Sequence, residues 1–136
     1  TRYESSAASD VYKRQGISTP LDPMITKADD LSGQVMAREG ELPPVWEELR
    51  IDLVLLDVMV SSSGEEPEKV RPLQSGEMLM LNSATATSVG TVSQIKGKNA
   101  TIKLRLPICA EVGSRITLSR RIGSRWRLIG HASIKE

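Results

Sequence analysis

The sequence predicts an all-β fold, an antiparallel barrel of about six strands, on two observations. From Val45 onward, short runs that alternate apolar and polar residues are separated by turn signals such as Gly, Pro and Asn. In addition, no stretch of ten or more residues repeats with the 3.6-residue period of a helix. We expect the barrel to be closed or nearly closed and to occupy residues 43–136.

The first half of the barrel is predicted to contain a long strand, a polar loop and a short apolar strand. Residues 49–56 have apolar side chains at odd positions and polar ones such as Arg50 between them, which indicates a half-buried strand that continues over residues 57–60. Residues 61–71 are acidic and contain Gly64 and Pro67, which is typical of a loop. Residues 76–81 form a strand apolar enough to be buried on both faces.

Two further strands are predicted over residues 89–95 and 100–106, joined as a hairpin by the Lys96-Gly97-Lys98-Asn99 turn. Pro107 is expected to end the second strand, because proline cannot donate a ladder hydrogen bond. In that strand the polar side chains share the outward face: Thr101, Lys103 and Arg105.

The last two strands, over residues 115–121 and 126–134, flank the tight turn Ile122-Gly123-Ser124-Arg125. Alternation puts Arg115 and Arg121 on one face of the first strand and Arg120 on the other. Five arginines crowd onto this hairpin beside Trp126: Arg115, Arg120, Arg121, Arg125 and Arg127.

These five arginines are the candidate nucleic-acid-binding residues. Guanidinium groups present a rigid, bidentate fork and keep their charge, so several on one outward face bind phosphates without sequence specificity. In the competing interpretation the arginines are structural and pair with acidic residues of the first half, or stack on Trp126 as cation–π contacts. The residues alone leave both interpretations open.

Charge is distributed unevenly along the chain, although the net charge is only +1. Residues 16–89 contain five Lys/Arg and 13 Asp/Glu, a net −8, whereas residues 90–136 contain ten Lys/Arg and two Asp/Glu, a net +8. This polarity indicates either a charged partner for the basic half or pairing between acidic and basic parts within the protein.

Composition argues against several classes of protein. The single cysteine, Cys109, excludes an internal disulfide, and with the single histidine, His131, it argues against a Cys/His zinc site. We expect Cys109 to fill space in an apolar turn of the core. No apolar run approaches the roughly 18 residues of a membrane span, and no signal peptide is recognisable, so a cytoplasmic domain is expected. Without a nucleophile–base pair or a GxxxxGK[ST] phosphate loop, no catalytic, cofactor-binding or metal residues are predicted, and the chain is not expected to be an enzyme.

The region before the barrel is predicted to have two parts. Residues 1–15 lack periodicity, and their DVYKRQ hexapeptide resembles a translated sequencing adapter, so we set them aside as a non-native tail. Residues 16–42 contain one strand candidate, 33–37, which must belong to a sheet whose other strands are absent or lie downstream. A domain boundary is placed at the charged linker that ends in Pro43-Pro44.

Several segments occur in one continuous order over about 120 residues: LDP with TKAD at 21–29, LPP at 42–44, GEMLMLN at 76–82, PICAEVG at 107–113 and SRRIGSRWRLIG at 119–130. In them the chain resembles the gamma subunit of archaeal and eukaryotic translation initiation factor 2. The last two segments together are quite specific for this family among translational GTPases. The chain departs from the family at His131-Ala132, where an aromatic residue and a glycine are usual.

The resemblance implies a three-domain factor similar to elongation factor Tu, in which a GTP-binding domain precedes two β-barrels. This chain would hold the tail of the second barrel, residues 16–42, and the whole third barrel, which braces the other domains and offers a face to RNA. The intact factor would bind GTP with Mg²⁺ and deliver methionyl initiator tRNA to the small ribosomal subunit and its RNA, as a heterotrimer with alpha and beta subunits. GTPase activity would belong to the absent domain and not to this chain.

Two alternatives are kept. One is a stand-alone β-barrel module that mediates protein contacts through its charges. The other is the C-terminal barrel of a related tRNA-delivering factor, such as the selenocysteine-specific elongation factor. The sequence of residues 120–130 disfavours this alternative.

Overall fold

The computed structural model describes residues 16–27, 30–59 and 68–136. These residues contain six strands and one short helix, joined by turns and irregular segments. The chain divides into two compact units, Thr1–Leu31 and Ser32–Glu136. The tail set aside on sequence grounds lies outside the described residues, as do residue 60 of the predicted strand continuation and residues 61–67 of the predicted acidic loop.

The first unit contains the helix α1 (Pro23–Lys27), a single exposed turn. Its start follows from the sequence, since Asp22 stands at the N-cap and proline fills the first helical position, where no N–H is needed. The carboxylate of Asp22 accepts a hydrogen bond from the N–H of Met24 at 2.9 Å. A helix this short is not detectable by periodicity, which explains why the sequence did not predict it.

The second unit is a closed antiparallel barrel, as predicted. Around the ring the strand order is β1-β4-β3-β2-β5-β6, and each neighbouring pair is antiparallel. The strands are β1 (Val45–Leu55), β2 (Met78–Ser83), β3 (Ala86–Lys96), β4 (Asn99–Cys109), β5 (Arg115–Ile122) and β6 (Arg125–Lys135).

Aliphatic side chains from all six strands fill the barrel. In β1 the predicted alternation is confirmed, because Leu49, Ile51 and Leu53 are buried while Arg50 is exposed. The predicted continuation over residues 57–60 was wrong for 57–59, because β1 ends at Leu55 and Val58 forms only an isolated bridge with Lys69. In β2 only one face is buried, since Leu79 and Leu81 point inward and Met78 is 54% exposed. The expectation that this strand could be buried on both faces was wrong, because nothing in the described structure covers the outer wall at Met78.

Three hairpins are closed by two-residue turns after Ser83, Lys96 and Ile122. The first turn residue has a positive φ in each: 51° at Ala84, 60° at Gly97 and 60° at Gly123. Such a turn follows the right-handed twist of the strands it joins, and glycine enters it without steric cost. The hairpin predicted around Lys96–Asn99 is therefore confirmed.

Pro107 does not end β4, contrary to expectation. The strand continues to Cys109, which pairs with Val45, so Cys109 lies in a strand end and not in a turn. The β1–β4 register is irregular between Trp46 and Glu48, and the β3–β4 pairs stop at Leu104. Proline is tolerated here because the ladder is interrupted and requires no N–H from it.

The strand expected over residues 33–37 is absent, since that segment has no ladder partner and runs as irregular chain. A lone extended segment does not hold strand geometry without a neighbour.

Residues 43–46 are in contrast fixed to the barrel. The N–H of Ala110 donates to the carbonyl of Pro44 (3.2 Å), the Cys109 thiol to Pro43 (3.3 Å) and the Trp46 indole to the carbonyl of Ala110 (2.8 Å).

Candidate nucleic-acid interface

A bulge in the β5–β6 hairpin changes which side chains share a face. Leu118 pairs with Gly130 and Ser119 with Leu128, so Ile129 is an extra residue on β6. Ile129 and Gly130 are consecutive and both buried. The uniform alternation predicted along this hairpin was therefore wrong beyond the bulge, because the extra residue shifts the phase of the strand.

Arg120 is a structural residue in this fold. Its side chain is only 13% exposed, and its Nε donates to Oε1 of Glu77. Its Nη2 donates to the other carboxylate oxygen of Glu77 at 3.2 Å and to the backbone carbonyls of Arg71 and Pro72 at 3.1 and 3.3 Å. One guanidinium thus holds the 71–77 segment against β5, as the structural interpretation of the arginines predicted for pairing with the acidic half.

Arg121 and Arg125 are exposed at the turn end of the hairpin. Arg121 lies directly across from the half-buried Trp126, and Arg125 pairs with Ile122 beside the turn. No acidic side chain in the described part of the chain forms an ion pair with either guanidinium. The two guanidinium groups are thus exposed to solvent without an ion-pair partner in the described part of the chain.

The other two candidates are placed differently. Arg127 lies across from Arg120, is half-buried and already takes part in a polar or ring interaction. Arg115 is exposed but begins β5 and pairs with Ser133, six residues from Arg121. Six residues of strand span about 20 Å, so Arg115 does not belong to the turn-end cluster.

Four exposed cations were not among the candidate binding residues predicted from the sequence, although two of them, Lys103 and Arg105, were placed on an outward face. Lys96, Lys98, Lys103 and Arg105 are all exposed on β3, β4 and the turn between them. The signal that could have found them was the turn itself, which carries two lysines around one glycine. They lay outside the arginine cluster that dominated the sequence argument.

The described part of the barrel also carries two surface grooves. One, of about 520 Å³, lies on the outer wall where β6, β1, β4 and β3 adjoin, and its lining includes Arg50, Lys96 and Asn99. The other, of about 380 Å³, lies beside the Arg120–Glu77 pair. Among the described residues, no three His, Cys, Asp or Glu side chains group as a metal site would require. In the same part of the chain, no helix has the length and hydropathy to cross a bilayer.

Comparison with known proteins identifies relatives of the chain. Residues 47–134 match the family described as "Initiation factor eIF2 gamma, C terminal". The translation initiation factor 2 subunit gamma of Methanocaldococcus jannaschii is 50% identical over 120 residues, which are 88% of this chain and 29% of that protein. Proteins of the same name from Thermococcus onnurineus and Methanococcus aeolicus are 47% identical over 121 residues and 51% identical over 120, again covering 89% and 88% of this chain and 29% of each relative. The chain therefore spans less than a third of the length of these relatives.

Proposed function

Because the chain belongs to the gamma-subunit family of translation initiation factor 2, through its C-terminal domain, we propose that it acts as the C-terminal barrel of a factor that delivers methionyl initiator tRNA to the small ribosomal subunit. The observation that carries this proposal is the family match over residues 47–134 together with about 50% identity to gamma subunits over nearly the whole chain. The closed six-stranded barrel is consistent with it.

In this proposal the chemistry of GTP belongs to a domain upstream of the barrel. The parent protein is a GTP-binding translational GTPase that uses Mg²⁺, and this chain contributes structure and RNA contact in the cytoplasm. Residues 16–42 are the end of a second barrel and residues 43–136 the third. The alpha and beta subunits join the parent through surfaces that this chain need not contain.

The turn-end arginines are the proposed RNA contact of the hairpin. Exposed guanidinium groups at Arg121 and Arg125 are free to form bidentate contacts with phosphates, which give affinity without reading sequence. Arg120 holds the 71–77 segment instead, and Arg115 stands apart from the turn. The partner is initiator tRNA or RNA of the small subunit.

Reversing Arg121 and Arg125 to glutamate in the full-length factor should weaken RNA binding about tenfold or more at roughly 0.1 M salt, since each lost phosphate contact also reduces counterion release. The measurement is a salt titration of initiator-tRNA and small-subunit binding. Reversal of Arg38, an exposed cation outside the barrel strands, together with Lys69 is the matched control. Equal affinities for both variants at every salt concentration would assign the turn-end arginines a structural role.

The reading frame upstream of Gly16 tests the family-level proposal independently. The proposal predicts a continuous frame that encodes a GxxxxGK[ST] phosphate loop and a further β-barrel before this residue. A start codon close to Gly16 would contradict it and favour the stand-alone interaction module.

A further inference from the structure

A second group of exposed cations lies on the barrel wall away from the arginine hairpin. We name Lys96, Lys98, Lys103 and Arg105 the β4 basic row, because they lie in β4, in the turn that precedes it and at the adjoining end of β3. All four residues are exposed. Neither the family match nor the composition assigns them a role.

The β4 strand fixes the direction of this row. Lys103 and Arg105 are two residues apart and point outward, about 6.6 Å from each other along the strand. Ile102, which precedes them, and Leu104, which lies between them, are buried. The turn is held to β1, because the N–H of Leu53 donates to the carbonyl of Lys98 at 2.7 Å. Lys103 and Arg105 therefore project from a strand of the barrel wall, Lys96 from the end of β3, and Lys98 from a turn that is hydrogen-bonded to β1.

The row is not neutralised within the described residues. The ion pairs there join Glu68 to Arg71, Glu77 to Arg120 and Asp52 to Lys135, and none includes a member of the row. Across the strands, Lys103 faces Glu48 and Thr91, and Lys96 faces Asn99. Only Glu48 is a carboxylate, so the row keeps a surplus of positive charge.

Ring order separates this row from the arginine hairpin. In the order β1-β4-β3-β2-β5-β6, two strands intervene between β4 and β5 in either direction, so the two strands lie on opposite walls. The row and Arg121 consequently form two distinct surfaces. A contact with one does not require the other.

The surroundings of the row favour a polar, negatively charged ligand. The groove of about 520 Å³ meets the row at Lys96. Its lining also includes the hydrogen-bonding groups of Gln94, Asn99 and Thr101, the cations Arg50 and Lys135, and the carboxylates of Glu48 and Glu136. The fully buried core of a protein–protein interface is more apolar than the rest of a protein surface, whereas most of this lining is polar or charged. Hydrated phosphates need only cations and hydrogen-bond donors, and the lining supplies three of each beside its two carboxylates.

We infer that the β4 basic row binds the phosphodiester backbone of RNA, as a second contact surface on the barrel wall opposite the arginine hairpin. The inference rests on the proposed function for its biological setting, and on exposure, register and charge for its chemistry. Lysine ammonium groups act as point charges, so this surface is expected to bind RNA without selecting sequence. An acidic protein segment is the competing occupant.

The test is fluorescence anisotropy of a labelled 12-base-pair RNA duplex with the 136-residue chain, at several salt concentrations. Three variants are compared: the row variant K98Q/K103Q/R105Q, the hairpin variant R121Q/R125Q, and the control R38Q/K69Q/R71Q, which removes the same charge as the row variant from exposed positions elsewhere. The row variant should bind about tenfold or more weakly near 0.1 M salt and lose about two to three from the log–log salt slope. The control should stay within about twofold.

Amide shifts on the unsubstituted chain provide a second readout that does not depend on the folding of any variant. RNA-induced shifts should include residues 98–105. Unlabelled initiator tRNA and small ribosomal subunits are then added as separate competitors. The competitor that displaces the duplex identifies the RNA that this surface binds. Any one of four results would overturn the inference. The row and control variants could bind with equal affinity, or the RNA-induced shifts could be confined to the hairpin. Neither competitor could displace the duplex, or a poly-glutamate peptide of matched charge could displace it equally well. An upstream frame without a phosphate loop would refute the proposed function and leave these binding results unchanged.

Discussion

Arg120 illustrates how one residue can be assigned a role only when its neighbours are known. In sequence it is one of five similar arginines, and alternation says only which face it occupies. In the structure its guanidinium satisfies a carboxylate and two backbone carbonyls from a segment more than 40 residues away. Since all of these partners are distant in sequence, no local pattern could predict them.

Substituting Arg120→Gln should lower the free energy of unfolding by about 2 kcal/mol, because Glu77 and the carbonyls of the 71–77 segment lose a partly buried partner. Urea denaturation measures the change. Arg121→Gln, on the exposed neighbour, is the control and should stay within about 0.5 kcal/mol. A double-mutant cycle with Glu77→Gln should show coupling of about 1 kcal/mol or more, and additive losses would contradict the pair's structural role.

Ala84 has a strained backbone, because it holds a turn position with positive φ that glycine holds in the other two hairpins. It has φ 51°, where Gly97 holds the same turn position with φ 60°. Ala84→Gly should raise the free energy of unfolding by about 0.5 kcal/mol, since relief of left-handed strain exceeds the added chain entropy of glycine.

The matched control is Gly97→Ala, where an added Cβ would meet no atom within 4 Å, so only backbone strain changes. We expect a loss of about 1 kcal/mol there. Thermal or urea unfolding of both variants measures the pair. Changes of the same sign in the two proteins would show that turn strain does not govern these hairpins.

At the scale of elements, alternation predicted the barrel strands well, because each strand buries one face. The buried residues of β1 and the hairpin around Gly97 follow directly from the pattern. The departures all have non-local causes. The bulge at Ile129 depends on the partner strand, Pro107 is tolerated because the ladder is irregular there, and residues 33–37 lack a partner strand.

The approach of β6 to β1 at Gly130 is a close contact between two backbones. An added Cβ would clash with the carbonyl oxygen of Val54 and lie 3.0 Å from the Cα of Leu55. Gly130→Ala should therefore lower the free energy of unfolding by about 2–3 kcal/mol, because a strand and not a side chain must move.

Chemical denaturation again provides the measurement, with Ser133→Ala on the outward face of β6 as the control, expected within about 0.5 kcal/mol. A Gly130→Ala protein as stable as the control would indicate that β1 and β6 are further apart than described.

At the scale of the whole molecule, the charge polarity of the sequence is only partly resolved within the fold. The Arg120–Glu77 and Lys135–Asp52 pairs join the basic and acidic parts, as one interpretation expected. Most other cations of the second half stay exposed, and ring closure distributes them over opposite walls. The strand order that separates them could not be read from the sequence, because alternation identifies faces and not neighbours.

The most direct test of the account replaces the 120 residues of the Methanocaldococcus jannaschii gamma subunit that match this chain with the corresponding residues of this chain. The measurement is the affinity of the chimeric factor, bound to GTP, for methionyl initiator tRNA, and its delivery of that tRNA to small subunits. At 50% identity over the exchanged region, we predict an affinity within about tenfold of the parent, with delivery retained. A folded chimera that binds GTP normally but neither holds nor delivers initiator tRNA would contradict the proposed role of this barrel.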